Sequence, residues 1–214
     1  RERRFTSDAA HELRSPLAAL KVQTDVAQLS LDDPGAQSKA LGQLHAGIDR
    51  ASRLVDQLLT LSRLDSLDNL DDVEPVMMAD LLQSAVLDIW HPAQQAGIDI
   101  RLNVNAPEVM RHGQPLLLSL LARNLLDNAV RYSPRGSVVD VTLHTQSFTV
   151  RDNGPGISSD ALARLGERFY RPPGQDATGS GLGLSIVKRI AALHGMRVSL
   201  GNAPEGGFEV TVSW

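Results

Sequence analysis

Phe5-Thr6-Ser7-Asp8-Ala9-Ala10-His11-Glu12-Leu13-Arg14-Ser15-Pro16-Leu17 sets a helical period that the chain keeps as far as residue 62. Thr6, Ala10, Leu13 and Leu17 stand alternately four and three apart, and Leu20, Thr24, Ala27 and Leu31 continue the same seam. That is heptad spacing, the signature of helices packed side by side. Leu31-Asp32-Asp33-Pro34-Gly35 breaks it with turn residues, and it resumes at Leu41, Leu44, Ile48, Ala51, Val55, Leu58 and Ser62. Leu54, Leu59, Leu61 and Leu64 widen the second face. Two helices cannot cover a face that wide, whereas two hairpins together form a four-helix bundle. The pattern therefore predicts a homodimer through residues 1–65. The competing expectation is a hairpin packed on the rest of its own chain.

His11 follows the seam position Ala10, so it lies about 100° round the helix and is expected to face solvent. Asp8 and Ser15, three before and four after, share its face. Glu12 is adjacent but points elsewhere and needs its longer side chain to reach the ring. Pro16 lacks the N–H that would bond the Glu12 carbonyl, which predicts a bend beside the histidine. An exposed imidazole with a carboxylate near it suits a nucleophile, because the acid holds one ring N–H and leaves the other nitrogen's lone pair free. Most single helical histidines are merely solvated, so this geometry permits chemistry without naming it.

Composition narrows the classes. The 214 residues suit one or two domains, and 42% hydrophobic content suffices for a core. A formal net charge of −4 gives no global signal for nucleic acid. With no cysteine, disulfides, thiolate zinc sites and thiol catalysis are excluded. No apolar run approaches the roughly 18 to 20 residues of a membrane span, and no signal-peptide pattern opens the chain. The abrupt charged start, Arg1-Glu2-Arg3-Arg4, predicts a piece cut from a longer protein.

Asp65-Ser66-Leu67-Asp68-Asn69-Leu70-Asp71-Asp72 is acidic and loses the seam, so it is read as an exposed hinge. The domains expected are a hairpin over 1–65, a linker over 66–73 and a second domain over 74–214. In that domain a strand near 76–78 precedes a helix over 80–96 ended by Gly97. Ile98–Val104 alternates with period two, as a half-buried strand does. Pro115 opens a helix through Tyr132. Strands follow at 138–143 and 148–150, then a helix over 182–194 ended by Gly195, and strands at 198–200 and 208–212. The expected fold is α + α/β, a dimerising helical hairpin followed by a two-layer α/β sandwich with helices on one face of a mixed sheet.

Four small motifs carry that domain's chemistry. Asn124 and Asn128 are four apart on one helical face, while Leu118, Leu121, Leu125 and Leu126 serve the core. Amide oxygens are hard neutral ligands that suit Mg²⁺ when phosphates bring the negative charge. Asp152 ends an apolar strand before Asn153-Gly154-Pro155-Gly156. An ionised aspartate only accepts hydrogen bonds, so it can receive an exocyclic amino group such as adenine's, and Gly154 and Gly156 let backbone approach a flat ring. Glu167-Arg168-Phe169-Tyr170-Arg171 sets a basic and aromatic cluster before the run 172–178. Gly179-Ser180-Gly181-Leu182-Gly183-Leu184 then opens a helix whose N–H groups and dipole favour phosphate. It follows no strand directly and no GxxxxGK[ST] occurs, which excludes a P-loop and disfavours a dinucleotide fold.

In this order and on these elements, the motifs resemble the cytoplasmic core of a two-component sensor histidine kinase. His11–Leu17 is similar to that family's phosphoacceptor box, Asn124–Tyr132 to its N box, Asp152–Gly156 to its first glycine box, Glu167–Tyr170 to its F box and Gly179–Leu184 to its second glycine box. The resemblance spans essentially the whole chain and implies an ATP-binding domain of the histidine-kinase/gyrase type. It further implies that His11 attacks the γ-phosphate of ATP, that Glu12 is its base, and that Asn128, assisted by Asn124, ligates Mg²⁺. Arg131 would contact phosphate, Tyr132 would lie by the nucleotide, and Asp152 would bind the adenine amino group. Residues from about Arg171 to Ser180 would form a mobile lid over ATP, with Gly179, Gly181 and Gly183 as its phosphate-facing hinge, and Arg168, Phe169 and Leu182 would join the nucleotide-binding residues. The implied partner is the receiver domain of a response regulator, and the implied location is the cytoplasmic face of a cell-membrane sensor.

Two departures stand out. Arg131 occupies a position where the family often has lysine, turning a point contact into a fork. Ser15 lies where phosphatase-competent members usually have threonine or asparagine, so dephosphorylation of the regulator stays open. Two other functions compete. One is an ATPase of the same superfamily, disfavoured because Asn124 cannot act as a base. The other is an inactive, nucleotide-sensing dimeric scaffold.

Overall fold

The structure, a computed structural model, describes residues 2–30, 32–173 and 179–214. The side chains of Thr6 and Asp8, all of Leu31, and residues 174–178 of the expected lid lie outside the described residues. The chain divides into two compact units, Arg1–Ser62 and Arg63–Trp214.

The first unit holds two long helices, α1 (Glu2–Leu29) and most of α2 (Pro34–Asp65). α1 runs on through Pro16. The turn is shorter than the breaking residues suggested. Asp33 Oδ1 accepts from the N–H groups of Gly35 and Ala36, both at 3.0 Å, so it caps α2 with Pro34 as the first helical residue. Gly47 faces Leu20 across the hairpin, and a Cβ at Gly47 would stand 2.7 Å from Leu20 Cδ2. Ala27, Ala40, Leu54, Leu58 and Leu61 are buried, while Leu17, Leu41, Ile48, Val55 and Leu59 stay exposed. The wide apolar face is thus only partly covered within one chain.

The second unit is a two-layer α/β sandwich. A five-stranded sheet has the order β2 (Asp99–Val104), β4 (Val138–His144), β5 (Ser147–Arg151), β7 (Phe208–Ser213), β6 (Arg197–Asn202). β2 and β4 are parallel and the other pairs antiparallel. Helices α3 (Met78–Ala96), α4 (Pro115–Tyr132) and α6 (Gly183–Leu193) pack against it, with α4 in contact with both others. Period-two alternation turns Val139, Val141, Leu143, Phe148, Val150, Val210 and Val212 into the core. They meet Leu118, Leu121, Leu125 and Leu126 of α4, the four leucines read as core from their spacing, none more than 2% exposed.

Two elements had no strong sequence signal. Strand β3 (Met110–Gly113) pairs with β1 (Glu74–Met77) in a small separate sheet, and the single-turn helix α5 (Ser159–Arg164) precedes the aromatic cluster. Both are too short for a period to show.

Candidate active site

The site grows from the C-terminal half of α4. The Asn124 amide nitrogen donates to the Leu120 carbonyl at 2.8 Å, which turns Oδ1 outward. Facing it is Gly183, the first residue of α6. A Cβ there would stand 3.4 Å from Asn124 Oδ1, and 3.2 and 3.4 Å from Asn128 Nδ2 and Oδ1. Two amide oxygens thus converge at a helix N-terminus, where unpaired N–H groups and the dipole favour an anion. Among the described residues no cluster of histidine, cysteine, aspartate or glutamate offers a charged metal site. Hard neutral oxygens alone fit Mg²⁺ only in company with phosphate, so the donor set present suits a Mg²⁺-nucleotide.

The last turn of α4 reaches both glycine motifs. The Tyr132 carbonyl lies 3.3 Å from where a Gly154 Cβ would be, and its hydroxyl 3.1 Å from the Gly179 equivalent. Arg131 Nη1 is 3.6 Å from that second point, while Nη2 is paired with Asp127 Oδ2 at 2.6 Å.

Asp152 sits just beyond β5 and is only 5% exposed. Its Oδ1 accepts two backbone hydrogen bonds, from Gly154 at 2.8 Å and Phe208 at 3.0 Å. A nearly buried carboxylate oxygen is satisfied in this way, and the carboxylate plane is fixed. Its second oxygen, Oδ2, is the one left to accept from a ligand. Close approach is why residue 154 is glycine: a Cβ would stand 2.9 Å from Asp152 Oδ1. The rest of the turn is clamped by Asn202, whose side chain accepts from Ile157 N at 2.8 Å and donates to Ile157 O at 2.7 Å. A Cβ on Gly156 would meet the same asparagine.

Gly181 and Phe169 are braced against each other. Phe169 N donates to Gly181 O at 3.2 Å, and a Cβ on Gly181 would lie 2.6 Å from the Phe169 carbonyl carbon. Gly181 has φ +71° and Phe169 itself φ +63°. A bulky side chain in the left-handed region is strained, and such strain persists only where surrounding structure holds it. Leu182 is fully buried next to them, and its N–H donates to Ser180 Oγ at 3.2 Å. Arg164 stacks over Tyr170, 4.0 Å from the ring centroid, and pairs with Glu167. Arg168 turns to Asp65, the last residue of α2.

His11, Glu12 and Ser15 belong to the other unit, exposed on α1, and among the described residues no hydrogen bond joins Glu12 or Ser15 to the ring. The structure therefore gathers Asn124, Asn128, Arg131, Tyr132, Gly179 and Gly183 in one place, with Gly154 and its partner Asp152 joined to it through Tyr132, while Gly156 abuts Asn202. Sequence reasoning missed Asp127 and Asn202. Asp127 could have been found by its i,i+4 spacing from Arg131; Asn202 carries no local signal, because its partner is 45 residues away.

Comparison with known proteins agrees with this layout. Residues 1–67 match the His Kinase A (phospho-acceptor) domain, and residues 113–214 match the histidine kinase-, DNA gyrase B-, and HSP90-like ATPase family. Sensor protein QseC of Salmonella typhimurium is 77% identical over 214 residues, which is 100% of this chain and 48% of that protein. The chain thus spans about half the length of the curated relatives it matches. ShkA, solved at full length in complex with AMPPNP, is 26% identical with a TM-score of 0.70, covering 98% of this chain and 45% of that one. The solved cytoplasmic segment of histidine kinase QseC is 62% identical with a TM-score of 0.58, covering 78% of this chain and 93% of that one. With nearly all of that segment matched at such identity, and both domain models in the expected order, the chain belongs to the sensor histidine kinases, in the QseC branch of the family.

Proposed function

We propose that this chain is the part of a sensor histidine kinase that phosphorylates itself on His11 from ATP and passes the phosphoryl group to an aspartate on the receiver domain of a response regulator. The observation that carries this reading is the exposed His11, in the phospho-acceptor segment of a chain whose second unit assembles a nucleotide-type site. The likeness to ShkA, solved with AMPPNP, supports a nucleoside triphosphate as ligand.

Asp152 Oδ2 receives the adenine amino group, its sister oxygen being occupied by Gly154 and Phe208. Asn128 and Asn124 present their amide oxygens to Mg²⁺, which when bound neutralises charge on the transferring phosphoryl group. Arg131 and the N–H groups at the start of α6 hold phosphate oxygens. Tyr132 lies beside the nucleotide between the two glycine motifs. Residues 171–180, with Arg168 and Phe169 at their base and Gly179, Gly181 and Gly183 at their far end, form the lid. A ring nitrogen of His11 attacks the γ-phosphorus; the P–N bond forms as the bond to the bridging oxygen breaks, and ADP leaves. Glu12 takes up the ring proton, and the phosphoryl group then passes to the regulator's carboxylate, the P–N bond breaking as the new P–O bond forms and the ring regaining a proton.

A dimer through residues 1–65 is supported by Leu17, Leu41, Ile48, Val55 and Leu59, which one chain leaves exposed. Among the described residues no helix is long and apolar enough to cross a membrane. The membrane anchor belongs to the longer sensor protein of which this chain is the cytoplasm-facing part. Ser15 keeps a hydroxyl that could orient water, so dephosphorylation of the regulator is part of the proposal to be tested. Simple ATP hydrolysis is disfavoured, because Asn124, tied to Leu120, is not a base.

Incubation with γ-labelled ATP and Mg²⁺ decides the matter. Acid-labile, alkali-stable label that disappears in His11→Ala is the expected result. Label indifferent to that change, or sustained phosphate release without labelling, overturns it.

A further inference from the structure

The Asp127–Arg131 pair stands where the nucleotide's phosphates would lie, yet a carboxylate there works against anion binding. Arg131 Nη2 is held by Asp127 Oδ2 at 2.6 Å, with the two side chains 29% and 45% exposed for Arg131 and Asp127. The other end of the guanidinium, Nη1, lies 3.6 Å from the position a Cβ would take on Gly179, where the lid rejoins the glycine motif. One fork therefore has its two ends directed at different neighbours.

We propose that Asp127 is a positioning residue for phosphoryl transfer: by gripping one end of the Arg131 fork, it aims the other at the phosphate-facing glycine turn. This rests on the reading of the site as one for ATP. The guanidinium is planar, with donors in fixed directions, so fixing Nη2 on a carboxylate fixes the direction of Nη1 as well. An ammonium in its place is a point charge with no such second arm, and a carboxylate beside it would only dilute its attraction for phosphate. The i,i+4 spacing on α4 puts the carboxylate one turn before the guanidinium, on the same face. Orientation and charge thus oppose each other. As a source of affinity Asp127 is unfavourable; as a director of Arg131 toward a developing charge it is favourable.

The opposition gives the test. Autophosphorylation of this chain is measured against ATP concentration for Asp127→Asn, Arg131→Lys and the double variant, with AMPPNP affinity and melting temperature recorded for each. Asp127→Asn is expected to lower the saturating rate roughly tenfold, while half-saturating ATP stays level or falls. Arg131→Lys should lose a similar factor, and adding Asp127→Asn to it should cost little more, because the fork is already gone. Asp127→Glu, which keeps the charge, should recover part of the rate. Independent, multiplying losses in the double variant overturn the proposal. So does an unchanged rate in Asp127→Asn, or a rise in half-saturating ATP with the saturating rate intact. If Asp127→Asn melts early, Asp127→Ser is judged by the same criteria. Absence of labelling in the unsubstituted chain overturns both this proposal and the kinase reading, whereas labelling with multiplying losses overturns this one alone.

Discussion

Arg168 holds both carboxylate oxygens of Asp65 through one terminal nitrogen, at 2.8 and 2.7 Å. Arg189 of α6 adds two bonds just beyond, donating to the carbonyls of Leu64 at 3.0 Å and Leu67 at 2.5 Å. The segment read from sequence as an exposed hinge thus carries side-chain bonds at its start, on Asp65 and Leu67, while Asp65 and Ser66 stay exposed. The two arginines lie in the aromatic cluster and on α6, and they pin residues 64–67 within the second unit.

Asp65→Asn tests what that pin does. The pair is more than a third exposed on both sides, so its loss should cost less than about 1 kcal/mol of stability. If transfer requires the hinge to move, releasing the pin should raise the saturating autophosphorylation rate about two- to threefold with AMPPNP affinity unchanged. A rate that stays level, with stability alone altered, would make the pair purely structural.

Asp152→Asn should weaken ATP binding about tenfold or more, the worth of a hydrogen bond to a charged group. An amide presents its NH₂ either to the adenine amino group or, flipped, to the Gly154 and Phe208 donors that share Oδ1, and either way one donor meets another. Isothermal titration with AMPPNP, set beside the melting temperature, separates the two effects. Unchanged affinity would remove the adenine role.

These residues mark how far the sequence is legible. The hairpin and α4 announce themselves because their apolar spacing runs over many turns, and the heptad seam already implied a face one chain cannot cover. Asn124, Asn128 and Asp152 were legible for a different reason: residue type, spacing and position on an element each narrow the chemistry. What stayed hidden are single long-range bonds. Asn202 reaches Ile157 from another strand, and Arg189 reaches Leu64 across 125 residues. Neither leaves a periodic trace, because one hydrogen bond constrains one side chain and nothing around it. The arginine bonds to Asp65 and Leu67 were hidden for the same cause: acidic composition reads as a solvated loop, and only the fold brings arginines to it.

Gly181→Ala should disturb the second glycine motif. The new methyl would meet the Phe169 backbone at 2.6 Å in a residue at φ +71°, so both contact and conformation oppose it. A penalty of about 1–3 kcal/mol is expected, relieved by displacing Phe169. Melting should fall modestly and ATP affinity more, since Phe169 and Gly181 brace the second glycine motif. Gly195→Ala is the comparison, with a similar φ of +66° but no neighbour for its Cβ. Equal losses in the two variants would reduce the Gly181 effect to backbone strain.

His194 gives the second unit a pH dependence. Its Nδ1 donates to the Ile190 carbonyl at 2.8 Å, and its Nε2 accepts from Gln114 N at 3.1 Å, linking the end of α6 to the residue that caps α4. Burial lowers the pKa below the usual 6.5, with the bond to Ile190 opposing the shift in part. A proton on Nε2 would remove the acceptor Gln114 needs. The folded state thus binds this proton less readily than the unfolded chain does, so stability rises with pH between the two pKa values. The contribution is complete above about pH 6.5 and is lost as pH falls through the lowered folded value. His194→Gln, whose amide cannot titrate, should flatten this slope. Melting temperatures at pH 7.5 and 5.5 are compared in both proteins; the unsubstituted chain should lose more on acidification. Parallel losses would assign the acid sensitivity to other groups and leave the His194 bridge without a role in it.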